Sequence, residues 1–416
     1  MEAAMYIKRH LEIPFLKANR FFPALLVTGA RQVGKTTFLR KIAESERRFV
    51  SLDVPDVQEM ARNDPRLFLA DNPPPVAIDE IQYVPELLPY IKERIDDARL
   101  KTPEKAAGMY WLTGSQQFKM MTKATESLAG RIGIFNLHGL SARELAGAPE
   151  AIPYLPENLV VSADACSPAQ FFERLWLGSY PNLIMSSDPR GNWLDFYRSY
   201  VQTYLERDVR SLSQVADLNV FYAFLKAVAA RSGQMLNYSD IARDTGISQP
   251  TAKGYLSILE ASGIVKILPP YKTGETASLV VATPKVYMLD TGLMAYLTSW
   301  TSPETLADGA MAGHFFETWC FSEIVKSYAG AGQDAPFFYF RDKKRRPKEI
   351  DLIISMNETI YPTEFKKSAA LDRKDAGHFD ELAIFKQHVA TGAVVSLYPQ
   401  KAHLREDVLN LPATSL

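Results

Sequence analysis

"ALLVTGARQVGKTTFLRKIAES", residues 24–45, decides how this chain folds. An apolar run ends in glycine, four residues follow, and Gly34, Lys35 and Thr36 then open a helical pattern. That spacing, with a strand before and a helix after, is the signature of a phosphate-binding loop. Glycines let backbone N–H groups close around phosphate oxygens, and the helix N-terminus favours negative charge. The expected nucleotide-binding segment is Gly29, Ala30, Gln32, Val33, Gly34, Lys35, Thr36 and Thr37. Lys35 is expected to reach the β- and γ-phosphates, Thr36 to ligate Mg²⁺, and Thr37 chiefly to pack in the helix.

The neighbouring segments repeat the strand–helix alternation. "FVSLDV" (49–54), "PPPVAIDE" (73–80) and "MYWLTGS" (109–115) read as strands separated by helical stretches, and "RIGIFNL" as a last strand. Such alternation predicts βαβ units and a mostly parallel sheet. Asp79 falls at the C-terminal end of its strand, where open α/β sheets place ligands. It is expected to hold Mg²⁺, and Glu80 to orient or deprotonate an attacking water. Ser115 is a candidate γ-phosphate sensor or else a strand-end cap. Arg131 is a candidate arginine finger reaching a neighbouring subunit or else half of a surface ion pair; Arg143 is the runner-up finger.

These residues carry a resemblance. The run "VTGARQVGKTT", "VSLDV", "AIDEIQYVPELLPYIK", "LTGSQQF" and "ESLAGR" resembles the AAA-type ATPases that bear a C-terminal domain of unknown function, DUF4143. The resemblance implies an ATP-binding AAA+ core joined to a winged helix and a restriction-endonuclease-like domain. The expected fold class is α/β multidomain, with a parallel-sheet P-loop core over 1–148, a helical region over 149–215, a winged helix over 216–275 and a nuclease-like α/β domain over 276–416.

In "NYSDIARDTGISQPTAKGYLSILEASGIVKIL", Gly246 makes a turn between two short helices, Ser248 caps the second, and Pro250 sits in its first turn. Ala252, Tyr255, Leu256 and Leu259 form the expected buried stripe. The outward face, Gln249, Thr251, Lys253 and Ser257, has one cation, which leaves DNA binding and packing between domains both open.

Late in the chain, "KEIDLIISMNETIYPTEFKKS" (348–368) reads as a β-hairpin. Strand alternation puts Glu349, Asp351 and Ile353 on one face and Ile350, Leu352 and Ile354 on the other, with Glu364 and Lys366 together on the return strand. Pro362 marks that strand as an edge or bulge. Upstream, Glu317 lies on the apolar side of a helix, where a carboxylate needs a partner. A helix acid, Asp, then Glu-x-Lys resembles the PD-(D/E)xK nuclease pattern. Asp351, Glu364 and Glu317 are then expected to hold a second Mg²⁺ or Mn²⁺, with Lys366 placing the attacking water. The competing reading is an ion-pair network of Lys366 with Glu349 or Asp351. "RDKKRRPK" (341–348) packs six cations against one acid, as a solvated loop or a nucleic-acid contact.

Bulk composition is neutral on partners. The formal net charge is −1 over 416 residues, so only local patches argue for nucleic acid. Cys166 and Cys320 lack paired spacing, which fits a reducing compartment and no disulfide framework. No apolar run is long enough for a membrane span, so a cytoplasmic location is expected. ATP, and DNA through the C-terminal half, are the expected partners; an arginine finger would require a homo-oligomer or ring.

Overall fold

The computed structural model describes residues 6–103, 106–114, 127–161, 166–209, 215, 217–334, 336–370 and 372–416. Its N-terminal unit is a five-stranded parallel sheet of β1 (Ala24–Thr28), β2 (Arg48–Ser51), β3 (Val76–Asp79), β4 (Tyr110–Thr113) and β5 (Ile132–Asn136), in the order β2-β3-β4-β1-β5. Every β1 residue is buried. Leu25 and Val27 point into one apolar cluster and Ala24 and Leu26 into another, so both sheet faces are covered by helices. Helix Lys35–Ile42 follows β1 directly and Leu87–Lys101 precedes β4.

The middle of the chain is helical and aromatic. Trp176 and Trp193, on helices Pro168–Leu177 and Pro189–Thr203, stack with centroids 4.3 Å apart. Buried Asp290 joins this region to the next: it accepts from Ser179 N–H at 2.8 Å and Tyr197 O–H at 2.9 Å while capping helix Thr291–Leu297. Helices Tyr238–Thr245 and Gln249–Ala261 form the expected pair around Gly246, whose φ of +68° is the left-handed conformation glycine tolerates. Ser248 accepts from Thr251 N–H as the cap, and Ala252, Tyr255, Leu256 and Leu259 are buried. The accompanying sheet, β6 (Gln234–Met235), β7 (Val265–Leu268) and β8 (Lys285–Met288), extends past residue 275 to Met288.

The C-terminal unit is a mixed seven-stranded sheet comprising β9 (Phe337–Arg341), β10 (Glu349–Met356), β11 (Thr359–Lys366), β12 (His388–Val389), β13 (Gly392–Ser396), β14 (Ala402–Arg405) and β15 (Val408–Pro412). Long helix Ala312–Gly330 packs on one face. The hairpin forms as expected, with Asn357 and Glu358 both at positive φ in its turn.

Two details of that hairpin differ from strict alternation. The β9–β10 pairing shifts register between Ile350 and Ile353, and both residues enter the same apolar cluster, while Leu352 and Ile354 enter the cluster beneath the long helix. An irregularity resets the faces around Asp351, so Ile353 does not share its side. Pro362 is not on an edge strand, because β11 lies between β10 and the β12/β13 pair. β11 pairs with β12 through Ile360 and with β13 from Thr363, so the proline falls where one neighbour strand gives way to the next.

One apolar cluster runs from β1 and β5 through the helical region and the helix-turn-helix pair to the C-terminal sheet. Among the described residues no helix is long and apolar enough to cross a membrane.

Candidate functional sites

The phosphate-binding loop is shaped by backbone constraints. Gly29 has φ +148°, and a Cβ there would lie 2.0 Å from the Leu137 carbonyl oxygen, which excludes any side chain. Gly34 has φ +92° and opens helix Lys35–Ile42. The buried Lys35 ammonium donates to the Gly29 and Ala30 carbonyls at 3.0 and 2.9 Å. Buried Arg9 braces the loop from outside, donating to Val33 O at 3.0 Å, His138 O at 2.7 Å and the Glu144 carboxylate at 3.1 Å. Nothing in the sequence around Arg9 signals this role.

Across the loop, Thr36 Oγ1 lies 3.0 Å from both carboxylate oxygens of Asp79. Thr113, at the end of the adjacent β4, donates its hydroxyl to Asp79 Oδ1 and accepts the Glu80 N–H at 3.0 Å. Glu80 itself stands at φ +59°, a left-handed turn uncommon for a side-chain-bearing residue, and its carboxylate accepts from Gln82. The strand ends thus collect a hydroxyl, a metal-type carboxylate and a second carboxylate beside the loop. A hydroxyl and a carboxylate in this arrangement fit Mg²⁺, a hard cation that takes oxygen ligands. Thr113 was not expected; a polar residue ending a buried strand beside the Asp79 strand is the signal that could have found it.

A cavity of about 590 Å³ adjoins the loop, lined in part by Tyr6, Gly34, Thr37, Lys41, Pro181 and Asn182. Arg131 makes the ion pair of the two alternatives: its guanidinium grips Asp96 with two bonds of 2.6 and 3.0 Å. Arg143 is partly buried, with its Nε unpartnered. Ser115 lies outside the described residues.

The C-terminal acids do converge, but around a lysine the sequence reading missed. Lys285 of β8 places its ammonium 3.0 Å from Glu317 Oε1, 2.6 Å from Glu349 Oε1 and 3.3 Å from Asp351 Oδ1. Tyr287, two residues on, donates to Glu317 Oε1 at 2.5 Å. Asp351 Oδ2 accepts the Phe365 N–H at 3.0 Å, so both of its oxygens have donors. Lys366 pairs with Glu364 Oε1 at 2.7 Å, and Arg341 with Glu349 at 2.7 Å. The ion-pair network therefore exists with different partners from those expected: Lys285, not Lys366, bridges Glu349 and Asp351.

Electrostatics follow this geometry. Burial, then the Asp351 charge, pushes Glu317 up to about 7. The same two causes raise Glu364 well above the carboxylate range, against the pull of Lys366. Burial would lower the Lys285 ammonium, but Glu317, Tyr287, Asp351 and Glu349 together hold it well above its ordinary value. Glu349 is held low by Lys285 and Arg341 in spite of its burial.

Glu317, Asp351 and Glu364 do not fit a divalent cation as arranged. The first two share the Lys285 ammonium, and Glu364 Oε2 is a buried carboxylate oxygen without a hydrogen-bond partner. Among the described residues no group of three His, Cys, Asp or Glu side chains is placed to hold a metal ion.

The basic segment is partly spent on its own fold. Buried Asp342 accepts from the Lys344 and Lys348 N–H groups, Lys344 pairs with Glu381, and Arg341 is held by Glu349. Arg345, Arg346 and Lys348 stay exposed. On the helix-turn-helix pair, Gln249 is bonded to Ser239 at 2.7 Å, and Lys253 is exposed over the Tyr238 ring.

A parallel sheet with a phosphate loop after β1 and an acid pair after β3 defines a P-loop nucleotide-binding protein of the AAA type. Family comparisons agree: residues 22–146 match an AAA domain, 168–304 a domain of unknown function (DUF8612) and 312–415 another domain of unknown function (DUF4143). The chain combines an AAA-type P-loop ATPase domain with a C-terminal DUF4143 domain. It is 27% identical over 352 residues to uncharacterized proteins of Mycobacterium bovis and Mycobacterium tuberculosis, covering 83% of this chain and 71% of each relative. The Walker-type ATPase PABY2304 of Pyrococcus abyssi aligns in structure with TM-score 0.42 and 15% identity, over 70% of this chain and 96% of that one.

Proposed function

We propose that the chain is a Mg²⁺-dependent, ATP-hydrolysing AAA+ protein. The observation that carries this reading is the cluster of Thr36, Asp79, Thr113 and Glu80 beside the loop. Thr36 and Asp79 would hold Mg²⁺, which neutralises charge developing on the β- and γ-phosphates. Lys35 and the loop N–H groups bind phosphate, and Glu80 orients and deprotonates water. The adjoining cavity has room for the base. An acid next to Asp79 favours transfer to water over transfer to another substrate. Purified protein should bind ATP with Mg²⁺ and turn it over, and Glu80→Gln should keep binding while losing turnover; absence of both binding and turnover in the wild type would sink the reading.

The use of the motor is a second question. DNA processing through a winged helix and a nuclease-like domain is one reading, supported by exposed Arg345, Arg346 and Lys348. The arrangement of Lys285 favours the other: an ATP-switched binding protein whose nuclease-like domain grips nucleic acid without cutting it. Metal-dependent cleavage of DNA by the wild type, lost in Asp351→Ala, would reverse that preference.

A further inference from the structure

We propose that the Lys285 ammonium is the resident cation of the C-terminal acid cluster, seated between Glu317, Glu349 and Asp351 where a divalent ion would share their oxygens. This rests on the non-cutting reading and adds a cause for it.

The geometry suits an ammonium. A lysine head carries three N–H donors, and three carboxylates from two elements lie 2.6 to 3.3 Å away. Oxygen ligands of Mg²⁺ or Ca²⁺ stand at roughly 2.0–2.6 Å, and such ions need several of them free. Here Glu317 Oε1 already takes two donors, and Asp351 has one on each oxygen. The Lys285 side chain is 2% exposed, and a buried ammonium is stable only when paired. Formal charges agree even with every acid ionised: four carboxylates, Glu317, Glu349, Asp351 and Glu364, face three cations, Lys285, Arg341 and Lys366. A divalent ion added to these would turn the cluster net positive.

Unlike a metal, this cation cannot exchange with solvent, because it is part of β8. Its bonds run to Glu317 on the long helix and to Glu349 and Asp351 on β10, so the cluster fastens the three-stranded sheet to the C-terminal unit. Tyr287 faces the same acids two residues along the strand, which fixes Glu317 from a second direction.

The test is Mn²⁺ binding by full-length, nucleotide-free protein, followed by the electron paramagnetic resonance of free Mn²⁺. Wild type and Asp351→Asn should bind equal amounts. Lys285→Met removes the ammonium at similar volume and should gain about one equivalent, lost again in Lys285→Met/Asp351→Asn. Two results overturn the proposal: Mn²⁺ held by the wild type and released by Asp351→Asn, or Lys285→Met with no added site. If Lys285→Met does not fold in metal-free buffer, its thermal transition is recorded with Mn²⁺; recovery supports the proposal and no recovery overturns it. DNA cleavage by the wild type would strike the non-cutting reading separately, since the Mn²⁺ titration reads occupancy alone.

Discussion

Thr36 Oγ1 sits 3.0 Å from both carboxylate oxygens of Asp79, two residues 43 positions apart brought together by the order of strands β3, β4 and β1. Thr113 completes the contact from β4, and through it the position of Asp79 is tied to the backbone of Glu80. One hydroxyl therefore touches both the carboxylate proposed to hold Mg²⁺ and the backbone of the residue proposed to orient water.

Thr113→Val keeps the shape and removes that hydroxyl. It leaves the half-buried Glu80 N–H without its acceptor, at a cost of about 0.5–1.5 kcal/mol, the worth of a typical intramolecular hydrogen bond. We expect a lower melting temperature together with a fall in kcat, because Glu80 loses its anchor. Calorimetry and steady-state turnover check both; unchanged kcat would show that Glu80 is positioned by other contacts.

Stability should depend on pH through Glu317. Its folded-state value of about 7 lies above that of an unfolded glutamate, so the folded protein binds this proton more tightly. The stabilisation is complete below the unfolded value and lost as pH rises through about 7. Between about pH 5 and about pH 8, wild type should lose melting temperature relative to Glu317→Gln, which keeps a hydrogen-bonding side chain and cannot ionise. Parallel profiles for the two proteins would contradict this.

Arg345 and Arg346 are exposed on the segment that Asp342 folds into a turn. If this loop contacts a phosphate backbone, Arg345→Glu/Arg346→Glu should weaken DNA binding across sequences. The salt slope of log K should shrink by about two, one for each lost phosphate contact. Fluorescence anisotropy over a salt series reads this, and an unaltered slope would remove the loop from the interface.

What could be read in advance depended on how local the physics is. The phosphate loop was legible because Gly29, Gly34, Lys35 and Thr36 lie within one turn and its helix, where spacing alone defines geometry. All five strands of the N-terminal sheet showed as short segments alternating with helical ones, a pattern that is also local. Lys285 was hidden because its partners Glu317 and Asp351 are 32 and 66 residues away. The available signal was weak: Lys285 and Tyr287 alternate on one face of "KVYML", an otherwise apolar strand. The irregularity near Asp351 was hidden too, since a register shift with β9 leaves no mark in the sequence of β10.

Hydrolysis is read from steady-state release of phosphate from Mg²⁺-ATP by wild type and Glu80→Gln, with ATP binding measured on the same samples. The wild type should turn over ATP, and Glu80→Gln should keep ATP binding while losing about 10²-fold or more of kcat, the scale of a removed general base. Equal turnover by the two proteins would contradict that role for Glu80.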